Sequence, residues 1–396
     1  MDAITDDEKK VVEELRKRTI DDMTPKLLND GAVFYRFARA RDFNLAEAES
    51  MLRKHIMWRK EFGVDTILED YKPPEFLVKY APVSFICFDK DGCVVRAHDC
   101  GRVDSKGLAS AVKQTEILKY MIYITELDKE RMIKLDGKGK KRMELGKPVL
   151  SPIYDFDELT YAKAVSVKSL QLITAFLKLF IDNYPELLKV ITVINAPFYF
   201  SWIYAAVKPI LPPRVIDKVR IYGSDGWKEV LLEDSDADDL PAYLGGTRTD
   251  PDGNPLCETF IMRGQTIPKD CYMQKGKKKL ALEPDVQKFT VMPFSKEEIT
   301  FKVTEENSYL EWEFETKSRD IDFSVHFKGE SEEDSEPIMI IPKQRIDTCY
   351  ETEKGCFKCE KRGNYIIVFS NTFSWIRSKE IYYRAGIKNQ KNSSIL

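Results

Sequence analysis

The chain has 396 residues, 43% of them hydrophobic, which is enough for two or three domains with buried cores. Its 62 basic and 65 acidic residues leave a net charge of −3, and this balance argues against a general nucleic-acid binder, which normally shows a basic excess. The eight cysteines are scattered and the first residues are acidic and polar, so we expect free thiols, no signal peptide and a cytoplasmic protein.

Residues 1–72 predict an N-terminal helical region. Asn29 or Asp30 is placed to cap a helix that runs through Phe34. Asn44 with Glu47 forms a capping-box pattern, and the apolar residues that follow recur at helical spacing. A helical lead-in is therefore expected before the first strand.

Residues 73–248 alternate between strand and helix patterns. The expected strands are residues 84–88, 94–98, 149–154, 190–195 and 219–222. One long helix is expected through residues 108–122 and another through residues 167–181. Asp89 to Gly92 is a hairpin-turn signal between the first two strands. Alternating strands and helices predict an α/β domain with a largely parallel sheet.

The eighteen residues between Lys189 and Lys208 carry no charge, which nearly reaches the length of a membrane span. Asn195 and Pro197 interrupt this stretch in the middle. Its first half is β-branched and its second half is aromatic. A buried strand followed by an apolar helix is therefore the better prediction.

Residues 252–386 follow a Pro/Gly/Asp-rich boundary and change to a period of two. Leu310, Trp312 and Phe314 alternate with glutamates, and residues 321–327 alternate in the same way. This pattern is typical of half-buried strands, and several short strands with turns between them predict an antiparallel β-sandwich.

Residues suited to catalysis or metal binding are few. The chain has three histidines, and His98 with Cys100 is the only Cys–His nucleophile pair the sequence suggests, although adjacency along a strand is the wrong geometry. Cys356 and Cys359 form one CxxC pair near Cys349, whereas a structural zinc site usually needs two such pairs. We therefore predict no enzyme activity, no metal site and no cofactor.

Two further charged segments are interpreted as solvent-exposed residues without a binding role. The glycine- and lysine-rich residues 137–141 lack the spacing of a phosphate-binding loop and are interpreted as a solvated basic loop. Asp234, Asp236, Asp238 and Asp239 lack the spaced ligands of a calcium hand and are interpreted as helix-end or exposed residues.

Several segments, taken in order, resemble the CRAL-TRIO lipid-binding family, in the subgroup that carries a C-terminal GOLD domain. They are residues 36–60 (RFARARDFNLAEAESMLRKHIMWRK), 89–95 (DKDGCVV), 183–197 (NYPELLKVITVINAP), 208–209 (KP), 240–246 (LPAYLGG), 249–255 (TDPDGNP) and 363–383 (GNYIIVFSNTFSWIRSKEIYY). The resemblance covers nearly the whole chain. It implies a helical lead-in (1–72), an α/β CRAL-TRIO pocket domain (73–248), an all-β GOLD domain of jelly-roll-like β-sandwich type (252–386) and a tail (387–396).

The resemblance also implies a gate and a headgroup site. In the family, the helix after the Asn-Ala-Pro strand end is a mobile gate over an apolar pocket. The matching gate and pocket residues here are Phe198, Phe200, Trp202, Ile203, Tyr204 and Val207. A fully buried core helix is the competing interpretation of this segment. The phosphoinositide headgroup site of the family matches Arg41, Glu186 and Lys218, for which a surface ion pair is the competing interpretation.

Leu150 and Pro152 depart from the family pattern, because phosphatidylcholine-transferring relatives have small hydroxyl residues at these two positions. Apolar side chains at these two positions favour a more apolar ligand than phosphatidylcholine. The resemblance therefore implies a non-catalytic lipid carrier that holds one hydrophobic ligand (a phosphoinositide, or a tocopherol- or squalene-like isoprenoid) and meets membranes transiently.

An alternative function is a trafficking adaptor whose GOLD domain binds a protein partner while the CRAL-TRIO domain senses lipid. The basic linker at residues 275–279 belongs to that hypothesis. An ester-cleaving enzyme that depends on His98 or Cys100 is the third and weakest hypothesis.

Overall fold

The structure is a computed structural model that describes residues 4–134, 145–164, 166–273, 280–317, 320–329, 336–348 and 352–388. The basic loop at 137–141, the linker at 275–279, Cys349 and all but the first two residues of the predicted tail lie outside the described residues. The chain divides into two units, residues 1–272 and residues 273–396. The boundaries predicted from sequence, 73–248 and 252–386, stay a prediction.

The first unit contains helices before, between and after its strands. Those before the first strand are α1 (Asp6–Thr19), α2 (Pro25–Leu28), α3 (Val33–Arg39), α4 (Leu45–Glu61), α5 (Ile67–Asp70) and α6 (Glu75–Tyr80). Those after it are α7 (Ser105–Ala111), α8 (Gln114–Lys134), α9 (Tyr161–Ala164), α10 (Val167–Asn183), α11 (Phe200–Val207), α12 (Pro213–Ile216) and α13 (Trp227–Asp234). The predicted N-terminal helical lead-in is confirmed, and its boundary at residue 72 stays a prediction.

A five-stranded sheet forms the centre of this unit. Its strands are β1 (Val83–Phe88), β2 (Val94–Asp99), β3 (Leu150–Asp155), β4 (Ile191–Ile194) and β5 (Val219–Ile221), in the spatial order 1-2-3-4-5. β1 and β2 form the antiparallel hairpin that the turn at 89–92 predicts, and β2 to β5 are parallel. The largely parallel sheet is therefore confirmed, with helices supplying the crossovers between parallel strands.

Two local helix predictions are corrected. Helix α3 begins after Ala32, which has no side chain able to cap it, and Asp30, two residues earlier, forms a buried ion pair with Arg36. The single helix expected through 108–122 is two helices, since Val112 adopts an extended conformation between α7 and α8. Asn44 does cap α4, accepting a hydrogen bond from the Glu47 amide at 3.3 Å.

The uncharged stretch between Lys189 and Lys208 is a strand followed by a helix, as predicted: β4 is buried in the sheet, and α11 starts three residues after Pro197. Within the described ranges, no helix combines the length and the apolarity that crossing a bilayer requires.

The second unit is a β-sandwich, as predicted. Its strands are β6 (Gln287–Val291), β7 (Lys296–Val303), β8 (Ser308–Thr316), β9 (Asp320–Lys328), β10 (Ile338–Asp347), β11 (Glu353–Cys359), β12 (Gly363–Ser370) and β13 (Lys379–Lys388). They form two four-stranded sheets, in the orders 10-9-12-7 and 11-8-13-6, and every pairing is antiparallel. Phe314 and Phe369 lie in the core with their ring centroids 5.0 Å apart, edge to face.

The glutamates of β8 are more enclosed than a simple alternation suggests. Glu315 accepts hydrogen bonds from the amides of Leu280 and Ala281, at 2.9 and 3.1 Å. Glu313 accepts from Thr352 and pairs with Arg384. Carboxylates are tolerated at these buried positions because each has partners for its charge.

Candidate functional site

A cavity lies between the sheet and two helices of the first unit. Strands β2 and β3 form one wall, and helices α8 and α10 form the other. Its volume is about 60 Å³, within about 670 Å³ of empty space that includes open solvent, so the cavity is narrower than the roughly 300–1,000 Å³ typical of ligand sites and has to widen to hold a lipid. Its lining residues are Val94, Arg96, His98, Met121, Ile124, Thr125, Asp128, Leu150, Pro152, Tyr154, Phe176, Leu177, Phe180, Ile181, Leu188, Ile191, Leu211 and Val215.

Helix α10 has an unusual burial pattern for so apolar a helix. Between residues 170 and 181 it carries eight leucine, isoleucine and phenylalanine side chains, and each of them is only half-buried. Phe176, Leu177, Phe180 and Ile181 face the cavity. An apolar helix usually buries one stripe against the core. Here that stripe faces the cavity. This arrangement is expected when an apolar ligand, and not another part of the protein, covers the apolar side chains.

The charged residues in the cavity wall neutralise each other. The Arg96 guanidinium donates from Nε to Asp128 Oδ2 at 2.6 Å and from a second nitrogen to the other carboxylate oxygen. Arg96 also donates to the Val83 carbonyl at 3.3 Å. Both side chains are almost fully buried. A bidentate, satisfied pair of this kind leaves little net charge in the cavity, so it suits an apolar ligand.

His98 and Tyr154 stack in the same wall, with ring centroids 4.6 Å apart. Burial, reinforced by the nearby Arg96, lowers the pKa of His98 to about 3, so the imidazole is neutral at physiological pH. Burial also raises the pKa of the Cys100 thiol. An imidazole with so low a pKa is a weak base, and the raised pKa of the thiol disfavours the thiolate, so both shifts oppose an activated Cys–His pair.

Leu150 and Pro152, which depart from the family pattern, both line the cavity. Ser151 between them faces away and donates to Asp89 Oδ2 at 3.2 Å. The period of two along β3 therefore puts the hydroxyl outside the cavity and two apolar side chains inside it.

A charged cluster contains residues that are close in sequence to the cavity lining. Glu186 Oε2 is 3.5 Å from Lys218 Nζ and 3.4 Å from Arg39 Nε, so one carboxylate is shared by two cations. Glu186 follows α10 in the left-handed backbone region, and the amide of Ile191 donates to the Lys218 carbonyl, which ties that residue to β4. Leu188 and Val215, close by in sequence, line the cavity.

The structure brings Glu186 and Lys218 together but places a different arginine beside them. Arg39 contacts Glu186. The predicted Arg41 is instead half-buried, and its positive charge acts to lower the pKa of Asp182. Burial raises the pKa of Asp182, and the cations Lys178, Arg41 and Lys54 oppose that rise. Sequence reasoning missed Arg39, although the Arg39-Ala40-Arg41 motif offered both arginines as candidates.

Helix α11, predicted from sequence as a gate, has one buried and one exposed side. Phe200, Ile203 and Val207 are buried, and the first two pack in a cluster with Leu159 and Val193. Trp202 on the opposite side is half exposed, and Phe198 just before the helix is 83% exposed. None of the six predicted gate residues lines the cavity, whereas Leu211 and Val215, which follow the helix, do. The helix is therefore not a fully buried core helix.

Ring contacts connect α11 to α9. Tyr161 lies 5.3 Å from Trp202 and 6.1 Å from Tyr199, both edge to face, and the Tyr199 hydroxyl donates to the Leu159 carbonyl. These contacts join two short helices at the surface and leave an aromatic face toward solvent.

Candidate metal ligands are engaged elsewhere. Among the residues that the structure describes, no group of three or more His, Cys, Asp or Glu side chains is arranged to hold a metal ion. Cys359 is buried and Cys356 is exposed on the same strand, and the seven cysteines in the described part of the chain are free thiols. Asp234 pairs with Lys189 and Arg220.

Comparisons with known proteins agree on the first unit. The model of the family described as CRAL/TRIO domain matches residues 79–246. Protein ctg-1 of Caenorhabditis elegans is 28% identical over 384 residues, which are 96% of this chain and 97% of that protein. Phosphatidylinositol/phosphatidylcholine transfer protein SFH4 of Arabidopsis thaliana is 32% identical over 249 residues, which are 61% of this chain but only 40% of that protein. The crystal structure of Sfh5 covers 66% of this chain and 93% of its own, with a TM-score of 0.48 and 17% identity.

Proposed function

We propose that this chain binds one lipid molecule and exchanges it with membranes, because residues 79–246 match the family model of the CRAL/TRIO domain and the β-rich second unit is consistent with a GOLD domain. The ligand lies in the cavity between β2, β3, α8 and α10. The relative from Arabidopsis thaliana is named as a phosphatidylinositol/phosphatidylcholine transfer protein, which supports a lipid as the cargo.

The half-buried apolar side of α10 carries this proposal. An acyl chain of about sixteen carbons exposed to water costs on the order of 12 kcal/mol, at about 0.8 kcal/mol per methylene. The apolar side chains of α10 that face the cavity, such as Phe176 and Leu177, carry a smaller cost of the same kind while the cavity is empty. Filling the cavity with a hydrocarbon chain removes both costs together.

The charged cluster is the proposed headgroup site. Arg39 and Lys218 both lie beside Glu186, which orients them, and Arg41 is proposed as a third cation of the site. A guanidinium forms paired hydrogen bonds with phosphate oxygens, and an ammonium adds a point charge. A phosphoinositide would use this cluster, whereas an isoprenoid such as tocopherol or squalene would use the cavity alone. Leu150 and Pro152 disfavour a phosphatidylcholine headgroup on β3.

Helix α11 is the proposed gate. Its buried side chains are few, and its aromatic face is already directed toward solvent. Outward movement of this helix at a bilayer surface would expose the cavity to acyl chains rather than to water.

The test of the carrier function begins with the cargo. The full-length chain purified from cells is expected to carry one lipid by native mass spectrometry, and to transfer fluorescent lipid between vesicles. Leu177→Trp fills the cavity and should reduce both occupancy and transfer by at least about tenfold, because the lost burial exceeds about 1.4 kcal/mol. Lys178→Trp, on the exposed side of the same helix, is the matched control. Equal transfer by the two variants, or a wild-type chain that takes up no lipid, contradicts the proposal.

Two donor lipids separate the headgroup site from the cavity. Arg39→Gln and Lys218→Gln are expected to slow the transfer of phosphatidylinositol phosphate while leaving tocopherol transfer unchanged. Arg41→Gln tests whether the arginine matched by family resemblance also contributes. If all three variants transfer both lipids as the wild type does, the cluster is a structural ion pair.

A further inference from the structure

Two loops at one end of the β-sandwich present large apolar side chains to solvent. The loop between β6 and β7 (residues 292–295) exposes Met292 and Phe294. The loop between β12 and β13 (residues 371–378) exposes Trp375 to 80% and Ile376 to 88%. Phe294 and Trp375 contact each other with ring centroids 5.8 Å apart. We refer to these two loops together as the sandwich tip.

The sandwich tip is built around one fully buried side chain, Asn371. Its Nδ2 donates to the carbonyls of Met292 at 3.2 Å and Arg377 at 2.9 Å, and its backbone amide donates to the Ser295 carbonyl at 2.8 Å. Asn371 therefore connects both loops.

A second set of bonds closes the longer loop on itself. Ser374 Oγ donates to the Arg377 carbonyl at 2.8 Å and accepts from the Arg377 amide at 3.2 Å. These bonds hold the two residues between them, Trp375 and Ile376, at the outermost point of the turn. Exposed apolar side chains held in this way lose little conformational entropy when something covers them.

The charges of the sandwich tip favour an anionic surface. Among the residues 292–295 and 371–378 the only charged one is Arg377, which is exposed. At the base of the tip, the Arg345 guanidinium lies 3.6 Å from the centre of the Phe373 ring, and Lys343 Nζ lies 3.4 Å from Thr372 Oγ1. Both cations are also paired with aspartates below the tip, so Arg377 is the cation that a ligand meets first.

We propose that the sandwich tip docks onto the surface of a membrane containing anionic phospholipids. Trp375 and Ile376 insert below the headgroups, and Arg377 binds lipid phosphates. The side chains project from a turn instead of lining a groove, which suits insertion into a fluid layer. Tryptophan is enriched at membrane interfaces, and a basic residue beside an apolar one adds attraction to anionic lipid. This contact is separate from the cavity and from α11.

Vesicle cosedimentation of the full-length chain tests this proposal. The vesicles are phosphatidylcholine with and without phosphatidylserine. The variant Trp375→Ala with Ile376→Ser is expected to bind at least about tenfold more weakly, a change of about 1.4 kcal/mol. Arg377→Gln should weaken binding only when phosphatidylserine is present. Leu282→Ala, which removes an equally exposed leucine elsewhere in the same unit, should bind as the wild type does.

Tryptophan fluorescence measures whether Trp375 inserts into the bilayer. Lipids with brominated acyl chains should quench an emission component that is absent from Trp375→Phe. If the double variant sediments like the wild type, or if Trp375 is not quenched, the tip does not dock on membranes and a protein becomes its better partner. Vesicle binding by Leu177→Trp distinguishes the two proposals, because filling the cavity should leave docking through the tip intact.

Discussion

At the scale of single residues, the buried histidine of α4 shows how packing changes the pKa of a side chain. His55 lies among Phe37, Trp58 and the guanidinium of Arg59, and its Nδ1 is 3.0 Å from Asn183 Oδ1. Burial, reinforced by the positive charge of Arg59, lowers the pKa of His55 from 6.5 to about 3. The folded chain therefore keeps this imidazole neutral, whereas the unfolded chain protonates it below about pH 6.5.

The first prediction concerns acid stability. Since only the unfolded state gains this proton, the contribution of His55 is fully present above pH 6.5 and is lost as the pH falls toward 3. Between pH 6.5 and 5 the loss should be about 2 kcal/mol, at about 1.4 kcal/mol per pH unit. Urea unfolding at pH 7 and pH 5 should show a smaller acid-induced loss for His55→Gln than for the wild type. An unchanged loss in this variant would mean that the imidazole is already charged in the folded protein.

The buried ion pair beneath this histidine connects the helical lead-in to the pocket domain. Arg59 of α4 binds Glu126 of α8 at 3.1 Å and also pairs with Asp65. Burial by itself would raise the pKa of Glu126, but Lys129 and Arg59 outweigh burial and hold it at about 2. The pair therefore stays ionised, and loss of either partner would leave an uncompensated buried charge.

At the scale of elements, the two sides of α11 suggest how a gate is held closed. Three buried side chains fix the helix to the domain, and the contact of Trp202 with Tyr161 is the main aromatic contact on its outer side. Few buried contacts mean a low cost of local opening.

The second prediction follows from that contact. Trp202→Ala should lower the rate of lipid transfer several-fold, because it removes apolar area that the open helix would bury in the bilayer. Native mass spectrometry should still find one lipid bound, since Trp202 lies outside the cavity lining. Ser201→Ala, on the same exposed part of the helix, serves as the control. Loss of bound lipid in Trp202→Ala would show that the residue supports the cavity rather than the exchange step.

Most elements of the first unit were predictable because their signals are local. The hairpin turn at 89–92 and the β-branched run before Asn195 each depend on a few neighbouring residues. The break between α7 and α8 was not predicted, since apolar spacing continues across Val112. The cap at Asp30 was assigned wrongly because the residue at the cap position is Ala32, two residues after Asp30.

At the scale of the whole molecule, the proposed lipid ligand would make the stability of the fold depend on whether the cavity is filled. A ligand that binds only the folded state stabilises it by RT ln(1 + [L]/Kd), about 2.7 kcal/mol at a hundredfold excess over Kd. The third prediction is that delipidated protein melts at a lower temperature than loaded protein in differential scanning calorimetry. Reloading should restore the difference in the wild type and in Lys178→Trp but not in Leu177→Trp. If the delipidated and loaded wild-type proteins melt at the same temperature, lipid does not occupy the cavity.

The site was harder to predict than the fold. Glu186 and Lys218 were found only through resemblance to a family, since nothing in their spacing indicates that α10 and the segment before β5 meet. Arg39 was missed because the choice between two arginines in one motif depends on backbone direction at the end of α3. The role of α10 was missed for a similar reason: its spacing shows an apolar helix, but only the three-dimensional structure shows that its apolar side faces empty space.

The Arg96–Asp128 pair has one more consequence. Since these groups satisfy each other, a ligand in the cavity need not supply a polar atom at that depth, and it gains little by supplying one. The inner cavity is then selective for the length and width of a hydrocarbon, not for its functional groups. Residence time should lengthen with each added methylene, by roughly fourfold at about 0.8 kcal/mol, until the chain reaches the far wall. A longer chain would no longer fit, so the depth of the cavity would select lipids by the length of their hydrocarbon chain.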